Sequence, residues 1–204
     1  LIGAAATIAE FNGVEKVSHV RDKLVEMTHL NETIYATGIA ASHQAVPLKS
    51  GVYICDDMLA NVCKHHVTRF PYEISRLAQD LAGGLMVTQP SEQDLDHPEI
   101  GALMRKYLQG RADSPTEDRL RILRLLENMT LGRNAVGYLT ESLHGAGSPQ
   151  AQRIQILRQM QLDFKKSLAK NIEFDDLIAY GMTGLLEAAD RYDPKMGANF
   201  MTFS

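Results

Sequence analysis

The chain has 204 residues, 45% of them hydrophobic and 23% charged, which is ordinary for a soluble globular protein and supplies material for one main core. No apolar run approaches the roughly 18–20 residues needed to cross a bilayer, and Leu1-Ile2-Gly3-Ala4-Ala5-Ala6 lacks the basic flank of a signal peptide. The formal charge of −4 is uneven: nineteen acids balance nineteen bases through Ile172, and six acids face two bases from Glu173 onward, so general affinity for nucleic-acid phosphates is not expected.

The first predicted helix follows the Asn12-Gly13 break, where Val17, Val20, Leu24, Met27 and Ile34 form an apolar stripe running to about Ala41. From Gly51 the pattern repeats through Met58, Leu59, Val62, Phe70, Ile74, Leu77 and Leu81, with Asp56 as N-cap and Gly83-Gly84 as a stop. Pro71 is expected to kink or split this second helix. Asp96-His97-Pro98 predicts a short helix closed by Gly110, and Ser114-Pro115-Thr116-Glu117 reads as a capping box with proline at the first helical position. Leu120, Leu123, Met129, Val136 and Leu143 then predict one long helix to Gly145, and Ser148-Pro149 opens another carrying Ile154, Leu157, Phe164 and Leu168. No segment alternates like a strand, so the expected fold is an all-α bundle of antiparallel helices about 20 to 30 residues long. At Glu173-Phe174-Asp175-Asp176 the character shifts to a short acidic helix with Leu177, Ile178, Leu185 and Leu186, followed by a turn at 193–197. A junction is therefore placed near Ile172, dividing the chain into 1–172 and 173–204. Because it opens on Leu1 and stops within a motif at Phe203-Ser204, the sequence reads as a fragment.

Few residues suggest chemistry. Glu141 lies near the end of an apolar helix facing the glycine-rich turn His144-Gly145-Ala146-Gly147-Ser148-Pro149. Held between packed helices, such a carboxylate would lose solvation and gain basicity, suiting it to remove a proton next to a carbonyl; the alternative is a solvated helix-end glutamate. In Asp80-Leu81-Ala82-Gly83-Gly84 a helix ends on two residues without side chains, which either admits a ligand to the backbone or merely caps the helix. Lys64-His65-His66 reads as a polar helix face, because adjacent histidines point about 100° apart and cannot chelate one ion. Cys55 and Cys63, eight residues apart in a helical pattern, suit neither a disulfide nor a metal site and point to a reducing cytoplasm. Met27, Met58, Met86, Met104, Met129 and Met160 sit among aliphatic residues as core filler, and Arg119, Arg121 and Arg124, interleaved with Glu117, Asp118 and Glu127, form a salt-bridged face.

The stretches ANVCKHHVTRFPYEISRLAQDLAGGLMVTQPSE (60–92) and LENMTLGRNAVGYLTESLHGAGSPQAQR (125–153) closely resemble the 4-hydroxybutyryl-CoA dehydratase/vinylacetyl-CoA isomerase family, a branch of the 4-hydroxyphenylacetate 3-monooxygenase-like flavoproteins. The resemblance runs from Leu1 to about Ile172 and implies the C-terminal helical bundle of an acyl-CoA dehydrogenase-like fold. It further implies a homo-oligomeric enzyme with FAD and a 4Fe-4S cluster that dehydrates a CoA-thioester substrate, 4-hydroxybutyryl-CoA, to crotonyl-CoA. In that likeness the flavin takes an electron transiently and the cluster iron acts as a Lewis acid on the hydroxyl, because a hydrogen beta to a thioester is barely acidic. Glu141 takes the place of the active-site carboxylate. Asp80, Gly83 and Gly84 take that of a loop meeting the FAD of a neighbouring subunit. The family's cluster ligands precede the start of this chain, so Cys55, Cys63, His65 and His66 are not expected to be ligands, and the chain alone is expected to be inactive.

The tail is similar to something else. EFDDLIAYGMTGLLEAADRYDPKMGANFMTF (173–203) resembles part of region 2 of bacterial RNA polymerase sigma factors. That likeness implies docking on RNA polymerase through Asp175, Asp176, Leu177, Gly184 and Leu185. It also implies promoter melting through Phe200 and Phe203, whose rings would stack on unpaired bases. Ala198 stands where another aromatic is common in that family.

Overall fold

Helix boundaries in this chain are set by a handful of residues, and the computed structural model, which describes residues 1–170 and 174–191, shows where each acts. Helix α1 (Ile2–Phe11) ends at Asn12, and Gly13, at φ 69°, turns the chain toward α2 (Ser18–His43). A two-residue ribbon follows, in which β1 (Val46–Pro47) pairs antiparallel with β2 (Tyr53–Ile54). The Asp56 carboxylate then accepts from the Leu59 amide at 2.7 Å and starts α3 (Asp57–Val67). Pro71 splits the helix predicted here: α3 stops at Val67, and α4 (Phe70–Ala82) begins with the proline in its first turn, where a missing N–H removes no helical bond. Gly83 ends α4 at φ 72°, ψ −176°, a region essentially reserved for glycine.

The short α5 (Leu85–Thr88), a 3-10 turn (Glu92–Asp96) capped by Ser91, and α6 (Gly101–Tyr107) connect to α7 (Thr116–Thr130). Beyond it lie α8 (Ala135–Tyr138), α9 (Thr140–Ala146) and α10 (Pro149–Gln159). The chain forms two compact units, Leu1–Gln159 and Met160–Ser204. The second contains α11 (Leu162–Lys170) and α12 (Phe174–Arg191).

Several boundaries differ from those expected. Ser114 does not cap α7. Pro115, in extended backbone, is the entry residue, and the Glu117 carboxylate reaches Arg105 at 2.6 Å instead of turning back. The long helix predicted to Gly145 breaks after Thr130, where the amides of Leu131 and Gly132 both converge on the Glu127 carbonyl. The helix opened by Pro149 ends at Gln159, and Gln161 turns the chain at φ 47°. The short helix expected from Asp96 starts later, at Gly101. Among the described residues, only α2, with 26 residues, reaches the predicted length.

In the first unit the core lies between α1, α2, α4 and α7. Ile8, Met27, Leu123 and Leu126 are fully buried, joined by Ala5, Leu30, Leu77, Ala78 and Leu81. Small residues let α1 approach closely: Ala5 and Ala9 are fully covered. Gly110 meets the end of that helix so tightly that a Cβ there would stand 2.1 Å from the Phe11 carbonyl oxygen. Helix α3 packs on α2, and α10 on α3, forming an outer layer that carries the turn after α9. Of the six methionines assigned to the core, Met27 and Met86 are buried and the other four half-buried.

Candidate active site

The short α9 brings Glu141 to the surface. The chain enters through Leu139 at φ −108°, ψ −77°, and leaves through Gly147 at φ 86°, ψ −177°, so seven helical residues hang between two abrupt changes of direction. Glu141 is exposed, so of the two readings its sequence context left open the chain alone shows the solvated helix-end glutamate. Its Oε2 stands 3.7 Å from where a side chain at Gly137 would begin, a distance of ordinary contact.

Ser142, next to Glu141, and Tyr138, at the end of α8, line a groove of about 530 Å³ with Ile2, Ile34, Pro71, Ile74, Ser75 and Met129 among its other walls. The Ser142 hydroxyl donates to the Gly137 carbonyl at 3.0 Å. Ser75, 3% exposed, contributes a hydroxyl with no hydrogen-bond partner, an arrangement that costs free energy wherever a buried polar group goes unpaired. None of these groove residues was legible as functional in the sequence, because a serine or tyrosine in a helical pattern carries no spacing signal of its own.

Behind α9 lies a buried amide, also unanticipated. Gln152 of α10 is 2% exposed and donates from Nε2 to the carbonyls of Ala146, at 2.8 Å, and Gly147, at 3.2 Å. Its Oε1 faces His65 Nδ1 at 3.4 Å. The neighbouring His66 stacks on Phe70 with ring centroids 4.5 Å apart. Burial, and then the charges of His65 and Arg69, hold its imidazole below the usual value. The two histidines thus serve separate partners, as their divergent directions on a helix require.

The second expected locus is the end of α4. Asp80 is paired with Lys23 of α2 at 2.6 Å, and that hydrogen bond holds its carboxyl below the usual carboxylate range. Gly83 and Gly84 are exposed, and a Cβ at either would meet nothing within 4 Å, so the backbone there is open to approach. Asp80, Gly83 and Gly84 thus form one surface patch at the α4 terminus.

Among the described residues, no three His, Cys, Asp or Glu side chains converge in a way that would hold a metal ion. Cys55 is exposed and Cys63 half-buried, with its thiol 3.5 Å from the Ile34 carbonyl. Among the described residues, no helix is long and apolar enough to cross a membrane. In the tail, Asp175, Asp176, Leu177, Gly184 and Leu185 fall on α12, where Asp176 and Leu185 are exposed. Phe200, Phe203 and the turn at 193–197 lie outside the described residues.

This architecture defines an all-α helical domain with an exposed carboxylate on a short helix and an open glycine pair elsewhere on its surface. The chain belongs to the HpaB family, 4-hydroxyphenylacetate 3-hydroxylase C terminal, whose family model matches residues 1–173. It is 57% identical over 180 residues to the 4-hydroxybutyryl-CoA dehydratase/vinylacetyl-CoA-Delta-isomerase of Clostridium aminobutyricum, a match that covers 84% of this chain and 37% of that protein. The oxygenase component of 4-hydroxyphenylacetate 3-monooxygenase from Thermus thermophilus is 28% identical over 130 residues, covering 64% of this chain and 27% of its own. Among solved structures, an oxygen-tolerant archaeal 4-hydroxybutyryl-CoA dehydratase from N. maritimus superposes with a TM-score of 0.78 and 75% identity, over 83% of this chain and 34% of that one. A 4-hydroxyphenylacetate 3-monooxygenase oxygenase component complexed with FAD and 4-hydroxyphenylacetate shares the fold, with a TM-score of 0.75 at 22% identity, over 88% of this chain and 37% of its own. The chain thus spans about a third of the length of these relatives.

Proposed function

We propose that residues 1–172 are the carboxy-terminal domain of a flavin-dependent 4-hydroxybutyryl-CoA dehydratase of acyl-CoA dehydrogenase-like fold, in which Glu141 is the active-site base. The observation that carries this reading is the 75% identity to the archaeal dehydratase across 83% of the chain, within which Glu141 is next in sequence to Ser142, a residue of the largely aliphatic groove wall. In this reading Glu141 takes a proton from a carbon activated by the thioester carbonyl, and the O–H bond formed on its carboxylate balances the C–H bond broken. Tyr138 and Ser142 bound the space beside it, and Ile34, Ile74 and Met129 keep the adjoining groove apolar. In this reading the remaining two thirds of such an enzyme would complete the site around Glu141. For that reason the chain alone is expected to be inactive.

The FAD implied by the family would meet this domain at Asp80, Gly83 and Gly84, where the open backbone fits close approach of a flavin nucleotide from a neighbouring subunit of a homo-oligomer. Such a flavin supplies transient electron transfer for removal of an unactivated hydrogen. For a 4Fe-4S cluster the described residues offer no ligand set, so no step is assigned to one in this chain. The test is to graft residues 1–172 into the N. maritimus dehydratase in place of its matching third. Retained dehydration that Glu141→Gln lowers at least a hundredfold supports the reading; a graft whose activity survives Glu141→Gln refutes the role of Glu141.

A second reading applies to the tail alone, which lies beyond the end of the family match at residue 173. Ile178, Met182, Leu185 and Leu186 fall four, seven and eight positions along from the first, and all four are exposed, giving α12 an apolar stripe. With Asp175 and Asp176 at the helix start, this stripe suits docking to RNA polymerase in transcription initiation. Pull-down of polymerase by the chain, lost in Asp175→Ala/Asp176→Ala, tests it; capture that is indifferent to both substitutions overturns it.

A further inference from the structure

The strongest unassigned arrangement is the buried amide behind Glu141. Ala146 is the last residue of α9 and Gly147 its C-cap, so their carbonyls have no partner within the helix and need one from elsewhere. Gln152 supplies both from a single nitrogen, at 2.8 and 3.2 Å. With Nε2 committed to two acceptors, the atom facing His65 is the carbonyl Oε1, so the imidazole must present Nδ1–H there. The amide is thereby satisfied on every side and joins three elements: the α9 terminus, α10 and α3.

A helix of seven residues has little stability of its own. Its direction, and with it the direction of the Glu141 side chain in its first turn, depends on its packing against α3 and α8 and on what holds its ends. At the entrance, Leu143 N closes on the Leu139 carbonyl; at the exit, Gly147 N closes on Leu143 and His144, and among the described residues Gln152 is the side chain that hydrogen-bonds the outgoing carbonyls of Ala146 and Gly147. We infer that Gln152, braced by His65, is a positioning residue for Glu141: it fixes the axis of α9 and so the place from which the carboxylate reaches its substrate. This rests on the reading of Glu141 as the base.

The test uses the 204-residue chain for exchange and the grafted dehydratase for kinetics. In the chain, Gln152→Leu, close in size but unable to hydrogen-bond, is expected to speed amide exchange at residues 145–148 at least tenfold while exchange at Leu123 and Leu126 is unchanged. In the graft the same substitution is expected to lower kcat at least tenfold, with KM for the thioester within threefold. Should Gln152→Leu fail to fold, His65→Leu removes the outer brace from a half-buried site and is expected to shift both readouts in the same direction. His65→Asn, whose side-chain amide can donate where Nδ1–H does, is expected to restore wild-type values. Unchanged exchange at 145–148, or unchanged kcat in a graft that Glu141→Gln inactivates, overturns the positioning role alone. A graft fully active with Glu141→Gln overturns the base reading and the positioning role together.

Discussion

Gly147 and Asp80 show how much a single residue can decide. At φ 86°, ψ −177°, Gly147 occupies backbone that any side chain strains by roughly 1–3 kcal/mol. Gly147→Ala should therefore lower unfolding free energy in urea by about that much, although a Cβ there would meet nothing within 4 Å. A loss under ~0.5 kcal/mol would mean that the turn relaxes into another conformation. Asp80 acts through charge. Its carboxyl is held low mainly by the hydrogen bond from Lys23, so its contribution to stability is present above the unfolded carboxylate pKa of about 4 and is lost as pH falls through the lower folded value. Because the Asp80 side chain is 50% exposed, solvent screening limits the effect to about 0.5 kcal/mol. Lys23→Met should therefore lower stability at pH 7 by about 0.5 kcal/mol, have no effect once pH is below the folded value, and so flatten the acid limb between the two; an unaltered acid limb would remove the pair from consideration.

At the scale of elements, α7 separates buried from exposed apolar positions sharply. Leu123 is fully covered and Leu125 is 45% exposed, so Leu123→Ala should cost about 2–5 kcal/mol and Leu125→Ala under ~1 kcal/mol, read from urea midpoints. Equal losses would contradict the placement of α7 in the core. The apolar period made this helix and α2 legible, because burial of one face imposes a spacing that survives in the sequence, and the proline made the split around Pro71 legible. The breaks in the later helices were not legible. Thr130 to Gly132 and Gln159 to Gln161 continue an acceptable helical pattern, and only the tertiary packing decides that the chain turns there. The site was less legible still. Glu141 and the glycine pair drew attention through their local context, whereas Gln152 looks no different in sequence from Gln150 or Gln155. Its role arises from carbonyls that α9 leaves unpaired, a feature of the folded turn and of nothing local to the glutamine.

At the scale of the molecule, the two compact units differ in what they bury. The first encloses α1, α2, α4 and α7 around fully covered Ile8, Met27, Leu123 and Leu126. In the second, each side chain described on α12 is exposed, including Ile178, Tyr180, Met182, Leu185 and Leu186. Most helical stability in proteins comes from packing of one apolar face, and an 18-residue helix whose described side chains are all exposed is marginal in water. Amide exchange in α12 is therefore expected to be set by local opening, orders of magnitude faster than in α7, whose amides should open only with the unit as a whole. Addition of a partner that covers the apolar stripe would slow α12 exchange and leave α7 exchange as it was. Protection in α12 equal to that in α7, measured on the chain alone, would mean that the stripe is already covered in solution, as by a second copy of the chain, and sedimentation velocity on the same sample would identify that dimer.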